Sequence, residues 1–300
     1  MFWKQLKRYY KSKGTLITIG VLAIWTGINY YLLHLDRMAW VHAATFHENE
    51  SGINLMQEMA DNYQNGIYWF HQLTLTVQVQ WAGLFWYFAM ACFGIMLSPQ
   101  LYMNIQDNYG SMILSRISYR KYLLSTLTAQ ALYIASLLLL FFVGVLALSM
   151  IIIGGGFTLP TSSLSGYSHA QSVPQYLISM FLPLLLGTLI TISTILVTSV
   201  SCFIVKNKYL LAFIPFLLQP TLLFVGFYVG NLGFTGSSIA GLLSVDNSVI
   251  TFSSFIHGNF GGSMMELPVW SFFIFPLLMI PVFVIFYLLN IRKYERTYLS

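Results

Sequence analysis

The chain has 300 residues, 57% of them hydrophobic and only 8% charged, where a soluble domain carries about 25% charged residues. At a mean hydropathy of +0.71 it has too little polar surface for a water-soluble fold and too few charges for a disordered chain. The net charge of +5 sits beside apolar runs rather than in a patch of its own, so the composition indicates an all-α, polytopic membrane protein with no nucleic-acid partner.

From the N-terminus, residues 1–14 set Phe2, Trp3, Leu6 and Tyr10 near one helical face with lysines elsewhere. That pattern suits an amphipathic helix lying in the membrane interface. A span needs about 20 mostly apolar residues, and six stretches qualify: 15–35, 73–97, 122–153, 175–205, 209–229 and 269–289. The first is long and lacks a small-residue cleavage site, so it is expected to stay in the membrane. Residues 36–72 form an acidic loop that includes His42, His47, Glu48, Glu50, Glu58 and Asp61. The spacing of its imidazoles and carboxylates matches no strong zinc signature, so a solvated loop is expected there and not a metal site.

The run Gly154-Gly155-Gly156 should end the third span. Residues 231–268 carry only two charges, Asp246 and Glu266, and are rich in Gly, Ser and Phe. Their apolar pieces are too short to cross a bilayer, which suggests a re-entrant or outer-leaflet segment before the last span. Pro183, Pro215, Pro220, Pro276 and Pro281 mark bends in the later spans. Cys92 and Cys202 both lie inside apolar runs, so no disulfide framework is expected.

An even number of spans puts both termini on one side. All the basic residues except Arg37 then fall on that side, and all the acids except Asp107 and Glu295 fall on the other. The positive-inside rule makes the basic side cytoplasmic. The spans contain essentially no ionisable residue; Gln78, Gln80, Gln130 and Gln219 are the notable polar groups at depth. A proton relay or a path for a charged substrate needs such residues, and an amphipathic or lipid-like cargo does not. The sequence contains no HExxH, no GxSxG and no GxxxxGK[ST]. It therefore has no expected catalytic, metal or cofactor residues, and any ATP that powers it is hydrolysed by another subunit.

The cytoplasmic loop 104–121 is the most informative stretch. Met112, Ile113 and Ile117 lie near one helical face there, with Arg116 and Arg120 turned elsewhere. A short amphipathic helix of this kind can seat its apolar face in a partner's groove, while its arginines pair with acids or lipid phosphates. The order Asp107, Gly110, Met112-Ile113-Leu114, Ser115-Arg116 and Tyr119-Arg120-Lys121-Tyr122 resembles the first cytoplasmic loop of ABC-2 type transporter permeases. Asp107 stands where that family often has Glu. The layout of interfacial helix, six spans and broken external segment is similar along the whole chain, whereas the motif covers about twenty residues.

The resemblance implies the permease subunit of a bacterial ATP-binding-cassette exporter in the plasma membrane, paired with a second copy or a paralogue. ATP and Mg would be bound by cytoplasmic ATPase subunits. Asp107, Gly110, Met112, Ile113, Arg116 and Arg120 would form the coupling helix seated on that ATPase, with Gly110 allowing a close approach. Two other classes fit the residues less closely. One is a stand-alone immunity or sensor protein that binds a cationic peptide through its acidic loop; the other is an ion-coupled transporter or a channel, the transporter being disfavoured by the lack of charge at depth.

Overall fold

The computed structural model describes residues 2–46, 61–75, 84–106, 117–154, 172–231, 249, 252 and 272–298. Among them there is no strand. The helices are α1 (Phe2–Tyr10), α2 (Lys13–Phe46), α3 (Gly66–Leu75), α4 (Leu84–Leu97), α5 (Gln100–Gln106), α6 (Tyr119–Ile153), α7 (Val173–Val200), α8 (Lys208–Asn231) and α9 (Ile274–Tyr298), with a 3-10 turn at Ser201–Phe203 after α7. Among the described residues, five stretches are long and apolar enough to cross a membrane: Lys13–Ala39, Phe85–Ile105, Tyr119–Ile153, Val173–Phe203 and Ile274–Tyr294. The expected span 209–229 falls within α8.

The expected span 73–97 contains the last residues of α3 and all of α4, with 76–83 outside the described residues. Its apolar run continues past the Ser98-Pro99 break, because Pro99 itself opens the next turn: Met103 N–H donates to Pro99 O at 2.9 Å. At 35 residues, α6 is about 52 Å long, well beyond the roughly 30 Å of hydrocarbon, so it tilts or projects into water. It stops at Gly154, whose φ of 79° is open to glycine and strained for other residues.

α7 is the central helix, with 56% of its most apolar window buried, against 17% for α9. It packs on α3, α4, α6, α8 and α9, while α4 also packs on α2 and α8. Lipid tails are as apolar as leucine, so the packing of these helices rests on close approach and on polar contacts. At Gly94 an added Cβ would stand 2.7 Å from Ala212 O of α8, and at Gly187 it would collide with the Trp86 ring of α4. The threonines of α7 bond within their own helix. Thr188, Thr191, Thr194 and Thr198 each donate to the carbonyl four residues back at 2.8–2.9 Å, which satisfies their hydroxyls within the helix.

Both described ends of the expected loop 36–72 are helical. α2 runs on to Phe46, and α3 packs against α2, α6 and α7. Asn65 caps α3 by accepting from Ile67 N–H at 2.9 Å, and Trp69 Nε1 donates to Tyr63 O at 2.7 Å. Of the expected re-entrant segment only Val249 and Phe252 are described, both buried, with Phe252 4.9 Å from the Phe272 ring. Cys92 and Cys202 are both free thiols.

Candidate functional site at the basic end of the bundle

α1, α5, the start of α6, the end of α7, the start of α8 and the end of α9 gather at one end of the bundle. Side chains of all of these except α1 share a buried cluster built on Leu101, Tyr119, Tyr122, Leu123, Val200, Leu211 and Ile291. The basic residues that bracket the apolar runs are therefore neighbours in space. Arg120, Lys121, Lys206, Lys208, Arg292 and Lys293 are all exposed there.

A network of polar bonds ties this end together. Asn290 is 2% exposed and accepts from Tyr119 Oη at 2.5 Å. Its amide donates to Val200 O at 2.9 Å and to Cys202 Sγ at 3.4 Å, so one side chain of α9 joins α6 to the end of α7. Lys293 Nζ donates to Phe203 O at 2.7 Å, placing a cation on the carbonyl end of α7, where the helix dipole favours it. Tyr119 also stacks on Tyr294, with ring centroids 3.9 Å apart. Asn207 begins α8 by accepting from Tyr209 N–H at 2.9 Å.

The loop 104–121 hangs from this network. On one side α5 is held by Leu101, which is fully buried, and by Tyr102 Oη donating to Lys206 O at 2.5 Å. Across the loop, Asn104 Nδ2 donates to Tyr122 Oη at 3.0 Å, which bonds the two roots to each other. Of the residues expected in the coupling helix, Arg120 is exposed in the first turn of α6. Asp107, Gly110, Met112, Ile113 and Arg116 lie outside the described residues.

α1 is docked on α6 at the same end. Gln5 Nε2 donates to Thr126 Oγ1 at 2.8 Å, and just after α1 the Thr15 Oγ1 of α2 shares a 2.8 Å bond with Tyr133 Oη. The inward face consists of Phe2, Gln5, Leu6 and Tyr9, while Trp3 is 73% exposed among Lys4, Lys7 and Arg8. The expected apolar face of Phe2, Trp3, Leu6 and Tyr10 is thus divided. At 100° per residue, Tyr9 aligns better than Trp3 with Phe2 and Leu6, and the protein offers it α6.

Asn290, Tyr102 and Asn104 have no sequence motif around them. The expected last span ended at residue 289, one short of Asn290, and the only signal there is a polar amide following an apolar run, which needs a partner. Gln130, by contrast, was visible as a polar group at depth. It donates to Leu97 O at 3.0 Å, satisfying the carbonyl end of α4.

The opposite end carries Asp61 together with Tyr63, Tyr68 and His71. Burial, reinforced by the Asp36 carboxylate, pushes the Tyr63 phenol up to about 12 against the opposing effect of its bond with Tyr68. Burial and the neighbouring Tyr63 also raise Tyr68. His71 is buried beside the Tyr176 ring at 6.3 Å. His42 is exposed on α2, and His47 and Glu48 lie outside the described residues. No family model, curated protein or solved structure matches this chain.

Proposed function

We propose that this chain is the membrane-spanning permease subunit of an ATP-binding-cassette exporter in a bacterial plasma membrane. It has six spans, α8 included, and cytoplasmic termini. It works as a dimer with a second copy or a paralogue, and a separate cytoplasmic subunit supplies ATP hydrolysis. The observation that carries this reading is the anchoring of the 104–121 loop: its roots are bonded to each other through Asn104 and Tyr122, and Tyr102 and Tyr119 tie those roots to the chain before α8 and to α9. A push on such a loop reaches the ends of four helices at once, as a coupling element requires. The resemblance around Asp107 to Arg120 and the gathering of cations on one end support the same reading. Hydroxyls satisfied within α7 favour an amphipathic cargo over a charged one.

The test is co-purification. The chain, expressed with its neighbouring genes and extracted in mild detergent, brings down an ATPase, and Arg116→Glu lowers the recovered ATPase by at least about tenfold, the scale of a lost charge pair, without changing the elution volume of the chain. Protein that stays free of ATPase in both forms refutes the reading. Loss of function on deletion of 48–61, with Arg116→Glu silent, would assign the chain to a stand-alone binding protein instead.

A further inference from the structure

α7 and α9 are joined at the basic end and enclose an apolar groove above it. The groove holds about 370 Å³ and is walled by Leu189, Ser193 and Leu196 of α7 and by Pro276, Met279 and Phe283 of α9. Its only hydroxyl is occupied, since Ser193 Oγ donates to Ile190 O at 2.9 Å. An occupant therefore meets apolar surface alone, and Leu277 and Ile280 at the rim are exposed.

Both walls continue toward the basic end in register. Leu189, Leu196 and Phe203 recur every seven residues, as do Met279, Phe286 and Lys293; a helix keeps such a series in one row with a drift of about 20° per step. The rows meet where the Phe203 and Phe286 rings stand 5.9 Å apart, edge to face. Lys293 Nζ lies just there, 5.9 Å from the Phe203 ring centre. Phe283 is ten residues before Lys293, about 15 Å along the helix, which is one leaflet's share of a hydrocarbon layer about 30 Å thick.

From Phe273 to Phe283 the groove runs about 15 Å, lined by apolar side chains along its length and followed by the Lys293 ammonium at the basic end, a match in polarity for an extended acyl chain with an anionic headgroup. We propose that this groove receives an acyl chain of an anionic glycerophospholipid from the leaflet on the basic side, with the lipid's phosphate held at Lys293. The proposal needs only the two helices and is independent of the exporter reading.

The test uses the full-length protein without any ATPase. Purified chain is incubated in micelles with equal amounts of dioleoyl phosphatidylglycerol and dioleoyl phosphatidylcholine, and bound lipid is counted by native mass spectrometry. Phosphatidylglycerol is retained about fivefold over phosphatidylcholine, the ratio that one basic side chain near a membrane surface supplies. Ser193→Phe fills the groove and abolishes retention of both lipids. Lys293→Gln keeps a bound lipid but brings the ratio to about one. Leu140→Phe, on the exposed side of α6, changes neither. If Ser193→Phe does not elute as a folded monodisperse species, Met279→Trp fills the groove from the other wall. Equal retention of the two headgroups by the unmodified chain, or undiminished retention when the groove is filled, overturns the proposal. So does oxidative cross-linking of Leu277→Cys into dimers in membranes, which would show a second copy in the groove.

Discussion

Asn290 is buried in α9, and each of its bonds crosses to another element: Tyr119 on α6, Val200 at the end of α7 and Cys202 in the turn beyond it. Asn290→Ala removes the bonds to the Tyr119 hydroxyl, the Val200 carbonyl and Cys202 Sγ at once. The expected loss is about 1–3 kcal/mol, read as a lower melting temperature in detergent, and the double variant with Tyr119→Phe should lose less than the two single losses added together, because the two changes share one bond. At the other end, Tyr63 makes stability depend on alkaline pH. The unfolded chain releases that phenol proton near pH 10, whereas the folded protein holds it until about 12. This contribution is therefore complete below pH 10 and is lost as pH rises toward 12. Denaturation curves between pH 10 and 12 should show a steeper decline for the wild type than for Tyr63→Phe; parallel declines would remove Tyr63 from the account.

The individual helices were legible because an apolar run of sufficient length in a charge-poor chain has one stable form in lipid. Which face of each helix meets which neighbour was not legible. In α6 the buried Leu123, Leu127, Ile134 and Leu138 alternate with the exposed Leu124, Leu132, Leu139 and Leu140. Both faces are leucine-rich, so periodicity carries no information about partners. The contacts that do discriminate are small or polar residues at crossings. Gly187→Val would force a branched side chain into the Trp86 ring, at a cost of about 1–3 kcal/mol. It should lower the yield of monodisperse protein, while the same change at Gly20 of α2, which has nothing within 4 Å, should not. In α1 the amphipathic character was legible, yet the apolar residues divided between two environments: Leu6 and Tyr9 turned to the protein, and Trp3 turned away.

At the scale of the whole molecule, charge asymmetry and fold agree on two ends. Lys206, Arg292 and Lys293 are exposed at one, whereas the exposed Asp61 and Gln64 sit beside α3 at the other. In the proposed orientation the first end faces the cytoplasm. In intact cells a membrane-impermeant maleimide should therefore label Gln64→Cys, and should label Lys206→Cys only after permeabilisation; the reverse pattern would invert the topology and with it the exporter reading. The native Cys92 and Cys202, partly and wholly buried, serve as the unlabelled background.

Composition and charge position were enough to determine that this chain is helical, that its apolar runs suit a membrane, and that most of its basic residues flank those runs. Those properties are additive along the chain and need no partner to define them. The tertiary structure alone decided that Asn290 ties three elements together, that Gly94 and Gly187 mark the close crossings, and that α7 and α9 enclose a groove. Each of these depends on residues far apart in the chain, 88 positions for Asn290 and Cys202, meeting through surfaces of nearly uniform hydrophobicity. Such surfaces specify their partners by shape and by rare polar contacts, which no local pattern records.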